Sequence, residues 1–508
     1  MDLQHTVSIC FLIFILLFVF FIRLSNKWHT LAIIDLRTAH KIVLALTLLS
    51  TILVAVLPMS LSPYWNGSVK QLSDKQQYDR MGDALLQGKL YIDNGDIDPV
   101  LEAMDNPYNR EERERLGAKF HWDEAYYNHH YYMYFGIVPT VIIFIPFKLL
   151  TGTALLSYQA TQIFAVLAII GMFYLFYMLC RSLFQKLPFS LFLLLSSSFS
   201  ILSIGYSISA PALYCTAIVS AICLMVWSII CFIKGAWLEH NKEISMVYLV
   251  IGSLLGALAF GCRPPVALAN IVLLAVILQI LKTNYETGKE KVKSIVQVLL
   301  PYIFVGIILM FYNYARFDNV FEFGQSYQLT LADQHNYGSF SERLNLKELL
   351  TGLLLNFGAP VPIKNTFPFL QYSGVFISYP VLLLSVRLFA NKISATLKAK
   401  NLYFVLLLMF LGSFIIALLD VYWSPFLAKR YHLDFQYLLC IVTFTVIAAW
   451  VEIISENRKK ALICCIVFLA FYVFVAEFLF FCVPFDGNYA MYYPEAMAKV
   501  YKGLRFGL

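Results

Sequence analysis

Charge is scarce. Lys, Arg, Asp and Glu make up 14% of the 508 residues, while 60% are hydrophobic. A soluble domain carries about 25% charged residues. The deficit excludes an ordinary water-soluble chain and points to a polytopic membrane protein, where each span needs about 20 apolar residues. A cysteine framework is missing too. Of the ten cysteines, most, including Cys180, Cys223, Cys231, Cys464 and Cys465, lie in or at the ends of apolar runs, and the long polar stretch 61–132 has none. No disulfide set and no zinc-type spacing follow, and the adjacent pair Cys464-Cys465 cannot form a CxxC site. There is no Walker loop, no Rossmann glycine pattern and no soluble domain of size, which argues against nucleotide chemistry. A net charge of +7 does not indicate nucleic acid, because the basic residues sit in short clusters between apolar runs. No Lys or Arg precedes the first apolar run and no small-residue cleavage site follows it, so the N-terminal segment reads as a retained span.

What is present is a series of apolar runs, at about 7–23, 42–60, 158–180, 188–206, 212–233, 246–262, 264–281, 295–312, 373–389, 402–420, 434–454 and 461–482, with 134–150 as a thirteenth candidate. Basic clusters fall at 23–41, 181–186, 234–242, 282–293, 387–400 and 458–460. The positive-inside rule assigns all six to the cytoplasmic side. Twelve spans satisfy every cluster with both termini outside, whereas a crossing at 134–150 would put Arg181 and Lys186 outside. Segment 134–150, broken by Pro139 and Pro146, therefore reads as a helix lying in or dipping into the outer face. A short kinked span is the alternative. The expected protein is an all-α bundle of about 12 transmembrane helices forming one membrane domain over 1–508. It has a first outer loop at 61–157, a second at 313–372 and an outer tail at 483–508, with juxtamembrane helices in the loops.

The polar residues of the outer side are the site candidates. In 70–90, Asp74, Tyr78, Met81 and Leu85 recur at helical spacing. A carboxylate desolvated at the membrane surface can serve as a general base; a solvated amphipathic helix with Asp74, Asp79 and Asp83 as surface charges is the plain alternative. Segment 105–124 reads as a turn at Asn106-Pro107 and a charged helix in which Glu111, Glu112, Arg113, Glu114 and Arg115 form a solvated face. Asp123 differs, placed between Trp122 and the tyrosines of 126–134, an acid in an aromatic setting. His129 and His130, taken as helical neighbours, would point about 100° apart, which disfavours a joint metal site. Arg263, Arg316 and Arg430 lie near the outer ends of spans. They read either as headgroup anchors or as a clamp for a phosphate.

Several stretches together resemble the polytopic GT-C glycosyltransferase superfamily, bacterial members similar to protein mannosyltransferases and aminoarabinose transferases above all. They are DKQQY (74–78), ALLQGKLYID (84–93), DNPYNR (105–110), HWDEAYYNHHYYMYFGIVP (121–139), GCRPP (261–265), YNYARFDNVFEFGQSYQLT (312–330) and KRYHLDF (429–435). The resemblance implies inverting transfer of a sugar from a polyprenyl-phosphate donor to a cell-envelope glycan, lipid or protein acceptor, at the outer face of the cytoplasmic membrane. It implies Asp74 as base and Asp123 as second acid. Arg263, Arg430, Arg316 and His130 would meet the donor phosphate, with Tyr78, Tyr127 and Tyr431 against substrate. No cofactor is fixed, though a divalent cation between the two acids is compatible. One departure stands out: where the family pattern has Gly-Lys, this chain has His129-His130. A transporter or flippase for a lipid-linked saccharide is the competing reading, and it calls for charges in mid-span. Here charges cluster at the ends of the runs, with Glu477 the main exception.

Overall fold

The computed structural model describes residues 2–23, 27–66, 76–93, 97–238, 244–282, 287–336, 345–424, 429–485 and 487–506. The protein is an all-α polytopic membrane protein. Among the described residues, ten helices are long and apolar enough to cross a bilayer: Leu3–Ile22, Thr38–Ser60, Ser157–Ser182, Phe189–Ser209, Tyr214–Trp237, Pro264–Lys282, Gly288–Phe317, Tyr403–Trp423, Lys429–Ile453 and Glu456–Phe481. Each falls on one of the expected runs. The two other runs depart from straight spans. Met246–Phe260 has 15 residues, roughly 22 Å of helix against a hydrocarbon core of about 30 Å. The run at 373–389 becomes a short helix, Val375–Ser378, and a 3-10 stretch, Pro380–Phe389, followed after Ala390 by Asn391–Ala399 at a 73° bend.

Burial sorts the helices into shells. Phe189–Ser209, Tyr214–Trp237 and Lys429–Ile453 are enclosed nearly all round, whereas Leu3–Ile22, Thr38–Ser60 and Gly288–Phe317 present apolar side chains outward. Apolar residues on every side suit both places, protein interior and lipid chains. Three buried serines of the central helix bond back along it, Ser198 to the Leu195 carbonyl, Ser203 to Phe199 and Ser207 to Ile204. Such bonding removes the penalty of an unpaired hydroxyl in an apolar setting.

The bundle has two chemically distinct ends. At one, the basic segments meet. The Ser190 hydroxyl pairs with His29 Nδ1 at 2.8 Å, Lys400 donates to the Leu183 carbonyl at 2.5 Å and approaches Glu452 at 3.4 Å, and Trp237 donates to the Asn401 carbonyl. At the other end the long loops gather, and the first described helix meets the last one there. Ser8 donates to the Gly503 carbonyl, and Ser62 to the Gly487 carbonyl. Helix 140–151 is held at the loop end on both sides, by Val138 N–H to the Gly261 carbonyl at 2.8 Å and by Ser157 N–H to Gln76 Oε1 at 2.9 Å. Lys148, on this helix, pairs with Asp83 and Asp79. At 12 residues, Thr140–Thr151 is shorter than the helices long enough to cross.

The two long loops form one body. A hairpin of β1 (Ala125–Tyr127) and β2 (His130–Tyr132) turns at Asn128 and His129, both with positive φ, 46° and 60°. This corrects the reading of the histidines as helical neighbours: two consecutive left-handed residues make the I′-type turn whose twist suits a hairpin. The second loop pairs against β1. Asp123 N–H donates to the Leu329 carbonyl, Leu329 N–H to Glu124, and Tyr126 N–H to Tyr327. Arg113 is also corrected. On helix Arg110–Leu116 it is 1% exposed, donating to the Pro107 and Thr330 carbonyls at 2.6 and 2.8 Å, so it ties the loops together.

Candidate functional site

Asp74 lies outside the described residues. The chain returns at Gln76 and Gln77, and Gln77 Nε2 donates to the backbone carbonyl of Asp123 at 3.3 Å. Asp123 itself is 3% exposed, with φ 59°, and its carboxylate accepts from Gln328 Nε2 at 3.0 Å. The first outer loop thus supplies the acid and the second supplies the amide that orients it. Tyr78 is fully buried in helix Gln77–Leu86, stacked on Phe144 with ring centres 5.3 Å apart, and its hydroxyl has no hydrogen-bond partner among the described residues. Burial pushes its pKa well above the ordinary value, so it stays a neutral donor.

Arg263 and Arg430 reach the same loop end by different routes. Arg263 precedes Pro264 in the turn opening helix Pro264–Lys282. Its Nε donates to both carboxylate oxygens of Asp434 at 2.9 Å, and one terminal nitrogen to Asp434 Oδ2 at 2.6 Å. Asp434 is 0% exposed, and Asp420 lies beside it. This guanidinium is already neutralised. Arg430 belongs to the 3-10 turn Lys429–Tyr431 and lies over the Tyr214 ring at 4.1 Å. It makes no ion pair among the described residues. A cavity of about 240 Å³ opens beside it, lined by Tyr64, Trp65, Trp122, Tyr206, Tyr214 and Arg430 among others.

Tyr134 marks where these groups converge. Burial pushes its pKa up to about 12, against the influence of Arg263 and Arg430, and Tyr431 and Asp123 act on it as well. One hydroxyl is therefore within electrostatic reach of the acid, both arginines and Tyr431. Tyr431 also lies under the Arg263 guanidinium at 5.4 Å. The segment carrying Tyr134 is seated by Gly136, where a Cβ would come within 2.2 Å of the Gly261 carbonyl oxygen.

The remaining candidates lie apart from this convergence in their described contacts. Arg316 is buried, donating to the Met133 carbonyl and Asn313 and stacking on Tyr312 at 3.8 Å, which places it as a brace for the strand leading to Tyr134. His130 meets Asp93 at 3.0 Å and stacks on Tyr91; its neighbour His129 meets Glu102 at 2.9 Å. Tyr127 packs on Tyr327 and reaches Asp318 at 3.4 Å. Among the described residues no group of three or more His, Cys, Asp or Glu could hold a metal ion. Sequence reasoning missed Asp434, Asp420, Gln328, Tyr134 and Tyr214. For Asp434 a signal existed: a buried arginine in GCRPP demands a carboxylate, and KRYHLDF carries one.

No protein-family model and no curated protein sequence matches the chain. Among solved structures it is similar to an oligosaccharyltransferase of Archaeoglobus fulgidus tethered to an acceptor peptide containing an NVT sequon. The TM-score is 0.45 and the identity 11%, over 91% of this chain and 59% of that one. It is also similar to the archaeal oligosaccharyltransferase AglB of Archaeoglobus fulgidus, in complex with an inhibitory peptide and a dolichol-phosphate. There the TM-score is 0.44 and the identity 12%, over 87% of this chain and 55% of that one. The chain spans less than three fifths of the length of these two proteins.

Proposed function

We propose that the protein is a GT-C-type glycosyltransferase that moves a sugar from a polyprenyl-phosphate donor to a cell-envelope acceptor, with inversion, at the outer face of the cytoplasmic membrane. The observation that carries this reading is Arg430. It is a guanidinium with no carboxylate partner among the described residues, beside an aromatic cavity and within the same electrostatic neighbourhood as buried Asp123. An uncompensated cation there suits an anionic leaving group.

In the reaction, the acceptor hydroxyl oxygen attacks the anomeric carbon from the face opposite the phosphate. The bond from that carbon to the phosphate oxygen breaks, and its electron pair leaves with the lipid phosphate. Asp74 takes the acceptor proton. Asp123, fixed by Gln328, orients the acceptor or the sugar. Arg430 faces the charge that develops on the phosphate, and fixed charges of that kind are among the largest contributors to such reactions. Arg263, engaged with Asp434, acts by holding the turn that carries Arg430 and Tyr431 in place. Trp65, Trp122, Tyr206 and Tyr214 offer apolar faces to the sugar ring.

The test is Arg430→Ala in the full chain reconstituted into vesicles with a polyprenyl-phosphate sugar. Losing a hydrogen bond to a charged group costs about 1.5–3 kcal/mol, so the donor KM should rise roughly 10- to 100-fold. An unchanged KM overturns the phosphate role. Donor translocation without any transfer would replace the enzyme with a transporter.

A further inference from the structure

We propose that Lys429 supplies a second cation for the phosphoryl headgroup; the inference rests on the reading of Arg430 just given. Lys429 and Arg430 are consecutive on the 3-10 turn Lys429–Tyr431, and successive residues of such a turn point about 120° apart. Arg430 lies over Tyr214. Lys429 lies over Tyr372 at 5.2 Å and Phe485 at 5.4 Å. Phe485 in turn stacks on Tyr206 with ring centres 5.7 Å apart, and Tyr206 lines the cavity beside Arg430. The two cations therefore flank one aromatic wall.

Nothing described neutralises Lys429. It makes no ion pair among the described residues, and the preceding Pro425, Phe426, Leu427 and Ala428 carry no acid. The carboxylate bordering the same aromatic set, Glu477, accepts from the Tyr379 hydroxyl at 2.6 Å. A further cation, Lys364, acts on Lys429. Half-buried like charges repel, and contact with aromatic faces returns less than the hydration that is lost. A bound anion offsets both costs. The histidines at the hairpin tip offer no alternative, because Glu102 and Asp93 already hold them. The cation that the family pattern places at residue 130 is thus provided by Lys429.

The experiment measures binding of a polyprenyl phosphate to the full chain in detergent by tryptophan fluorescence, which Trp65 and Trp122 at the cavity make sensitive. Lys429→Gln should weaken binding about tenfold and flatten its dependence on salt, Lys429→Arg should restore both, and an uncharged polyprenol should be indifferent to either change. Wild-type affinity in folded Lys429→Gln overturns the proposal. So does wild-type binding that does not weaken with salt, a readout independent of how the variant folds. If Arg430→Ala loses binding and Lys429→Gln keeps it, only the role of Lys429 falls. If the wild type binds no polyprenyl phosphate but binds inorganic phosphate through Lys429, the two-cation site stands and the lipid-donor reading falls. Binding of neither sinks both. Competition by inorganic phosphate shows that the phosphoryl group alone is recognised, and its failure alongside Lys429-dependent lipid binding identifies the lipid as the source; both outcomes support the site.

Discussion

At the scale of single residues, the sequence named Asp123 for a sound reason, an acid among aromatics, and the structure buries it. What holds it was not legible. Gln328 lies 205 residues away, and no local pattern announces a contact across that separation. Asp123→Asn preserves an oxygen that can accept from Gln328, so the fold should persist while transfer falls roughly 100-fold; thermal unfolding and initial rates in parallel check both halves. Arg113 was misread as a surface charge because its partners are carbonyls, which leave no mark in a charge pattern. His129 was misread because its neighbours suggested a helix, although Asn128 before it and the flanking tyrosines already spell a hairpin. A left-handed conformation costs a residue with a Cβ about 1–2 kcal/mol. His129→Gly should therefore raise stability by up to about 1 kcal/mol, once the contact with Glu102 is subtracted. A fall in melting temperature would contradict the turn assignment.

At the scale of elements, the twelve apolar runs were readable because length and apolarity are local properties. The short Met246–Phe260 and the bent pair at 380–399 were not, since nearby helices set their course. The contact that fixes the arginine end of the site is Arg263 with Asp434. Breaking a buried pair strands the remaining charge, at about 3–5 kcal/mol. Asp434→Ala should lower the unfolding temperature sharply and impair donor binding together, whereas Asp434→Asn should do less of both. Equal effects would argue that the carboxylate charge is unimportant. Gly136 makes a second prediction. Alanine there drives its Cβ into the Gly261 and Cys262 carbonyls, so Gly136→Ala should cost about 1–3 kcal/mol and expose the 134–138 segment to proteolysis. Unchanged protection would place that segment elsewhere.

At the scale of the whole molecule, the all-α polytopic class was the most legible property. Six basic clusters and a parity argument predict that helix 140–151 does not cross, and its two anchors, Gly261 and Gln76, lie at the same end of the bundle. Single cysteines at Gly152 and Gly117 should react with a membrane-impermeant thiol reagent from the same side, and one at Lys186 from the other. Convergence of the loops was less legible, because it depends on a strand pairing between residues 123–126 and 327–329 that only the folded chain reveals. The central claim is lipid-linked glycosyl transfer at the loop end. It is tested most directly by incubating vesicles that hold the full chain, and envelope extract as a source of acceptors, with a radiolabelled polyprenyl-phosphate sugar. The expected result is transfer of label to an acceptor with release of polyprenyl phosphate, lost in Asp74→Asn and sharply reduced in Arg430→Ala at low donor concentration. Label that crosses the bilayer still attached to its lipid, or transfer indifferent to both substitutions, would contradict it.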